Sequence, residues 1–343
     1  MNAHSEPNGQ DWDMAPLRIG ILGAAKIAPP ALIKPARRVD DVEVVAVAAR
    51  DKAKASTFAS KHGIGRVHDS YGALLADPDI DAIYNPLPNG LHGKWTIAAL
   101  EAGKHVLCEK PFTANADEAL EVQKVEKRTG LVVMEAFHYR YHPLADRMVE
   151  IANDGTLGEI EHIHTWMVIP LLSRRDIRWQ LDLAGGSTMD VGCYTIHLLR
   201  SLAKAEPTVV SASARERSAG VDRWLRADMQ LPDGSSGRIT ASMLSGQFLR
   251  LGAEVKGTKG VMRVFNPWAP QYFHRLTVRT QAGKQKQGRL PKVTTYECQL
   301  RAFAAAVLRD EPVITNTDDA IANMRVIDAV YTAAGLEPRQ PSA

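Results

Sequence analysis

Between Leu17 and Met134, short apolar runs alternate with helix-length stretches, and this alternation limits the fold more than any other feature of the chain. The runs are Leu17–Gly23, Val42–Ala48, Ile80–Tyr84, Val106–Cys108 and Leu131–Met134. Between them the pattern predicts a helix opening at Ala24, then helices over Lys52–His62, Tyr71–Ala76, Gly90–Glu101 and Ala116–Lys127. Pro35 must interrupt or kink the first. Asn89 is the expected cap of Gly90–Glu101, and Asn115 or Thr113 that of Ala116–Lys127, with Gly103 and Gly130 ending these helices. Strand and helix taken in turn at βαβ spacing call for a parallel sheet with right-handed crossovers. In such sheets ligands bind beyond the carboxyl ends of the strands. Residues that follow each run are therefore the first candidates for function.

Three such places carry chemistry. After the first run come Gly23, Ala24, Ala25, Lys26 and Ile27, a strand–turn–helix setting suited to a dinucleotide pyrophosphate resting on helix N–H groups. The fingerprint is degenerate, because Gly23, Ala25 and Ala28 fill the three glycine positions. After the second run comes Arg50, whose guanidinium fork suits a 2′-phosphate and favours NADP over NAD. Asp51 beside it either caps the helix Lys52–His62 or turns back to a ribose hydroxyl. After the fourth run comes Glu109-Lys110-Pro111, an ion pair at the end of a buried strand that is either a solvated loop pair or part of a site.

Beyond Phe137 the texture changes. A helix over Leu144–Asn153 and an alternating run Glu159–Val168 lead to mostly β-like sequence at 208–215, 223–231, 236–243, 249–255, 261–265 and 273–280. Pro232-Asp233-Gly234 and Lys256–Gly260 are turns that join antiparallel neighbours. A large open sheet of this kind leaves one face in need of cover. Apolar outward positions there would favour a homodimer through the sheet, with a tetramer as the alternative. Helices over Tyr296–Leu308 and Asp318–Ala334 close the chain.

Totals narrow the classes. The 343 residues allow two domains, and a net charge of +3 leaves no basic footprint for nucleic acid. Residues 1–16 are polar and read as a disordered tail, and no run reaches membrane-spanning length. Cys108, Cys193 and Cys298 lie far apart, which suits reduced thiols in the cytoplasm. No metal is expected: His138, His142, His162 and His164 have no carboxylate-rich set beside them.

Residues 17–335 resemble the glucose–fructose oxidoreductase / inositol dehydrogenase / rhizopine-catabolism (Gfo/Idh/MocA) family. Four stretches carry the likeness: the loop Gly23–Ala28, Asn85–His92, Gly103–Pro111 with its Glu-Lys-Pro signature, and Gly185–His197. The resemblance implies a fold of α/β class. It has an N-terminal Rossmann domain with a parallel sheet and a C-terminal α+β domain with a large, mainly antiparallel open sheet. We place the first at residues 17–137 and the second, for substrate and dimerisation, at 138–343. Many relatives carry histidine four residues after the aspartate of the last stretch. This chain has Tyr194 there, as in the branch of D-xylose 1-dehydrogenases and dihydrodiol dehydrogenases, which commonly uses NADP.

The family likeness implies cofactor contacts from Pro86, Leu87, Asn89, His92, Glu109 and Lys110, and a cis Lys110–Pro111 bond. Catalysis would rest on Lys110, Tyr194 and Asp190. A phenol with a pKa near 10 is a poor base near neutrality, so Lys110 is expected to lower it while Asp190 orients both. Lys110 could also exchange the proton itself. Arg140 and Tyr141 follow the last run of the first half and should border the cleft, Arg140 toward cofactor and Tyr141 toward substrate. Trp179, behind Arg178, could wall a sugar site, and His197, which shares a helical face with Tyr194, either touches substrate or is a packed histidine. The expected activity is NADP-dependent oxidoreduction of a sugar, polyol or cyclic diol. The alternatives are a nucleotide-binding sensor without turnover and a reductase of an anhydro-sugar or dicarbonyl.

Overall fold

The computed structural model describes residues 15–286 and 290–343, so the polar leader lies outside the described residues except for its last two. The first sheet has six parallel strands: β1 Leu17–Leu22, β2 Val42–Ala48, β3 Arg66–His68, β4 Ala82–Asn85, β5 His105–Cys108 and β6 Val133–Glu135. Their order is β3-β2-β1-β4-β5-β6, so strand order reverses between β1 and β4. Such a switch point opens a crevice for a ligand. The intervening helices are α1 Lys34–Ala36, α2 Lys52–His62, α3 Tyr71–Leu75, α4 His92–Glu101 and α5 Ala116–Thr129.

Local chemistry explains their ends. Asp51 caps α2 by accepting from the Lys54 N–H at 3.1 Å, so its carboxylate serves the helix. Asn115 rather than Thr113 caps α5, and Gly130 ends it in the left-handed region. Asn89 does not cap α4. A 3₁₀ turn over Asn89–Leu91 intervenes, and the Asn89 side chain donates instead to the Ala184 carbonyl at 3.1 Å. Strand β3 has no counterpart in the sequence reading, because three half-buried residues are too few to show an alternation.

Helix α6 (Pro143–Asn153) leads to β7 Ile160–Val168, α7 Cys193–Ala203, and strands β8 Thr208–Ser218, β9 Val221–Gln230, β10 Ser236–Ser242, β11 Arg250–Gly257, β12 Gly260–Phe265, β13 Arg275–Thr280 and β14 Gly283–Lys286. They form one eight-stranded sheet, β14-β13-β12-β11-β7-β10-β9-β8, in which only β7 and β10 run parallel. Its inner face buries Ile163, Leu225, Ile239, Val255, Met262 and Val278 against α7 and α9 (Thr317–Ala333).

The outer face differs from the apolar expectation. Arg263, Glu254, His164, Arg238 and Asp228 stand in register across five strands, with ion pairs Arg263–Glu254 and Arg238–Asp228. Charge satisfied along the row makes a polar face stable. Exposed apolar side chains gather at one end of the sheet instead, as Phe248, Leu249, Phe265, Tyr272 and Phe273.

Helix α8 (Thr295–Arg309) follows the second sheet in sequence but packs on the first. Leu300, Phe303 and Ala304 are buried with Ile19, Ile21, Val47, Tyr84, Leu107 and Met134. A division at residue 137 therefore separates the two sheets but not their cores.

Candidate active site

The crevice at the β1/β4 switch point opens into a cavity of about 730 Å³. One wall is built by three loops that follow strands of the first sheet: Ala24–Ile27 after β1, Pro86–Asn89 after β4, and Glu109-Lys110 after β5. The other wall comes from the second half: Met167 and Ile169, the strap with Arg175, Asp176 and Arg178, a turn with Asp190 and Val191, Tyr194 at the start of α7, and Tyr296 on α8. Gly23 makes the first loop possible. Its φ of +87° disfavours any side chain, and a Cβ there would lie 3.2 Å from Leu87 Cδ2 in the cleft wall.

His92 is packed between two of the loops and, as a neutral ring with one N–H, donates to one of them at a time. Its ring nitrogens face the Leu87 and Pro111 carbonyl oxygens, each at 2.7 Å, from a site only 1% exposed. Burial outweighs those two carbonyls and, with the Lys110 charge, holds its pKa down to about 4. Between the clamped segments the Lys110–Pro111 peptide bond is cis.

Lys110 is a largely buried cation of the cleft, its side chain 14% exposed. Its Nζ donates to the Asp190 carbonyl oxygen at 2.9 Å and to Asp190 Oδ1 at 3.1 Å. The other carboxylate oxygen, Oδ2, accepts from Arg178 at 3.2 Å. Burial disfavours both charges, but each offsets that cost for the other: the Lys110 pKa stands above its ordinary value, and that of Asp190 below. Glu109 turns away from the cleft chemistry to accept from the Tyr84 hydroxyl at 2.6 Å, and burial raises its pKa.

Tyr194 departs from the expected arrangement. Lys110 Nζ lies over its ring, 4.9 Å from the centroid, rather than beside the hydroxyl. The phenol oxygen instead meets His138 Nε2 at 3.0 Å. Burial first, then the neighbouring Tyr296 and Glu109, push the phenol well above its ordinary pKa. The side chain is a neutral proton donor, not a phenolate.

Of the remaining candidates, the loop residues Ala24, Ala25, Lys26, Ile27, Pro86, Leu87, Asn89, His92 and Glu109 all line the cavity. Four others do not. Arg140 is held by Asp146 at 2.8 Å, and Tyr141 shares a hydrogen bond with Thr315 at 2.8 Å. Trp179 is buried with Leu171, Val191 and Met243 under the Arg217 guanidinium. His197, within α7, is held away from the cavity between the Tyr139 hydroxyl at 2.5 Å and Asp319 at 3.0 Å. A residue three positions along a helix shares its neighbour's face only approximately, and here the stacked Phe137 ring takes the place between them. Arg50 is exposed just before the α2 cap and is not part of the cavity wall, whereas Lys54, one turn into α2, is. Lys54, His138 and Tyr296 are the site residues that the sequence reading misses. Only Lys54 had a usable signal, its place one helical turn after Arg50. Among the described residues no group of His, Cys, Asp and Glu could hold a metal ion.

Known proteins share this plan. Residues 17–137 match the model of the oxidoreductase family with an NAD-binding Rossmann fold, GFO/IDH/MocA, and residues 146–263 match the GFO/IDH/MocA C-terminal domain. The chain is 37% identical over 324 residues to D-xylose 1-dehydrogenase (NADP(+)) 2 of Haloferax volcanii, covering 93% of this chain and 97% of that one. It is 34% identical over 231 residues to the trans-1,2-dihydrobenzene-1,2-diol dehydrogenase of Bos taurus, covering 66% and 68%. Among solved structures, a 3-ketoreductase from Actinomadura kijaniata in complex with NADP and TDP-benzene superposes with a TM-score of 0.86 at 30% identity, covering 93% of this chain and 98% of that one.

Proposed function

Since the chain belongs to the Gfo/Idh/MocA family of NAD(P)-binding oxidoreductases, we propose that it transfers hydride between NADP and a secondary alcohol or carbonyl of a sugar, polyol or cyclic diol. The observation that carries this reading is the Lys110–Asp190 pair, largely buried beside Tyr194 in the same cavity as the loop after Gly23. A sensor without turnover has no use for an ammonium held by an ion pair at that point.

The cleft fits a dinucleotide. The Gly23 turn keeps side-chain atoms out of the space before Leu87, and Ala24 and Ala25 add only methyl groups. Lys54 and Arg50 supply charge for a 2′-phosphate, Lys54 from the cavity wall and Arg50 from the end of β2. When bound, the nicotinamide accepts or delivers the hydride.

The chain's own residues handle the oxygen. Lys110 stabilises negative charge that builds on the substrate oxygen, and Asp190 fixes the ammonium while Arg178 fixes Asp190. Tyr194 exchanges the proton. Its neutral phenol suits donation to a carbonyl oxygen in the reducing direction, and Lys110 is the competing candidate for this step. The likeness to a D-xylose 1-dehydrogenase is why sugars head the substrate class. We also propose that two copies pair through the second sheet, over the end where Phe248, Leu249, Phe265, Tyr272 and Phe273 are exposed.

The test is a nicotinamide absorbance screen of the purified protein against D-xylose and other aldoses, polyols, cyclic diols and keto sugars, with NADP and NAD in parallel. Turnover with a sugar and NADP is expected. Nucleotide binding without turnover on any compound would overturn the reading in favour of a sensor, and equal use of NAD would remove the 2′-phosphate assignment.

A further inference from the structure

The reading of Tyr194 as the proton-exchanging group leaves open what holds its hydroxyl in place. The structure answers with a chain of buried groups behind the cleft. Tyr194 Oη meets His138 Nε2 at 3.0 Å, and His138 Nδ1 meets Thr295 Oγ1 at 2.8 Å. Thr295 is fully buried and His138 is 7% exposed, and neither lines the cavity. Both imidazole nitrogens are therefore engaged, one by the phenol and one by the first residue of α8. The His138 ring is further fixed by the Tyr296 ring at 4.2 Å.

We propose that His138 is a positioning residue for Tyr194, orienting the phenolic hydroxyl through the Thr295–His138–Tyr194 chain so that it can meet either the alcohol or the carbonyl form of the substrate. This rests on the oxidoreductase reading above. A neutral imidazole carries one N–H and one lone pair. With the proton on Nδ1, toward Thr295, Nε2 accepts the phenolic hydrogen and leaves the oxygen lone pairs for a substrate hydroxyl. With the proton on Nε2, His138 donates to the phenol oxygen, and the phenolic hydrogen is released toward a carbonyl. The threonine hydroxyl accommodates both arrangements, since it can accept or donate.

The surroundings keep the ring neutral. Burial, and next the Lys110 ammonium, hold His138 down to about 3. The groups facing it are Tyr194 on α7, Thr295 and Tyr296 on α8, and Lys110 beyond β5, and none of them is an anion that would draw a second proton. Without His138 the phenol would have a buried hydroxyl with no partner behind it and no preferred direction.

A double-mutant cycle tests this on the fastest substrate of the screen, with NADP. His138→Phe is expected to lower kcat by about tenfold or more, with KM for the sugar and NADPH binding within about threefold of the parent. In a Tyr194→Phe background, which already lacks the hydroxyl, the same change is expected to cost nothing further. His138→Gln, whose amide can also accept on one side and donate on the other, is expected to recover most of the loss. If the phenylalanine variant does not fold, His138→Leu takes its place in the cycle. An unchanged kcat in His138→Phe, or in the leucine variant that replaces it, while the wild type turns over would overturn this role and leave the oxidoreductase reading intact. So would losses that add fully to those of Tyr194→Phe. A wild type inactive on every compound of the screen would instead overturn the oxidoreductase reading, and this role with it.

Discussion

Lys110 is the side chain on which the chemistry turns, and its removal should be felt in kcat. Lys110→Met is expected to lower kcat by roughly 10²–10⁴ with nucleotide binding retained, as steady-state rates and NADPH fluorescence would show. Asp190→Asn should do less harm to kcat while loosening the lysine, because the Asp190 carbonyl still accepts from Nζ at 2.9 Å. For the cofactor, Lys54→Glu is expected to raise KM for NADP by about tenfold and leave that for NAD within twofold, which parallel titrations would check. Lys110 was legible because its neighbours in sequence are also its neighbours in the strand–loop unit that presents it. Asp190 and Tyr194 were legible through family likeness alone. Arg140, Tyr141, Trp179 and His197 were misplaced because proximity to a strand end or helix face does not say which way a side chain turns. That depends on distant partners: Asp146 six residues on for Arg140, Thr315 for Tyr141, and Asp319 for His197.

Elements carry the next tier of behaviour. The loops after β4 and β5 hold their shape through one imidazole, and that imidazole makes stability depend on pH. An unfolded histidine takes its proton near 6.5, whereas folded His92 resists until about 4. Above 6.5 both states are neutral and the contribution is complete. As pH falls from 6.5 toward 4 the unfolded chain binds a proton that the folded chain refuses, so stability declines, by about 3 kcal/mol over the full window. His138, held to about 3, adds a second proton of the same sign. Thermal melts between pH 7 and 5 should fall, and His92→Asn should flatten that slope even as it lowers the melting temperature at pH 7. The alternation of strand and helix made the parallel order of the first sheet readable. The short strands β3 and β14 were not, since three or four residues hold too little pattern to separate from a turn.

At the scale of the whole molecule, the second sheet presents a charged row bounded by an apolar end in which Phe248 is 74% and Tyr272 82% exposed. Pairing of two copies over that end would cover it. Sedimentation should show a dimer, and Phe248→Asp with Phe273→Asp should return it to monomer without loss of fold by circular dichroism. Sequence patterns showed that this sheet is open. They did not show its outward residues to be ion-paired, because alternation marks the inner face and says little of partners on the other. The return of α8 to the first sheet has a consequence for how the chain comes to life. A ribosome delivers Ile19, Tyr84 and Leu107 long before Leu300 and Phe303, the residues that cover them. The nucleotide cleft also waits for Tyr296, on the same late helix. The first half of the molecule is thus finished by a segment synthesised after the whole second sheet, and the cleft of a nascent chain stays incomplete until α8 has emerged.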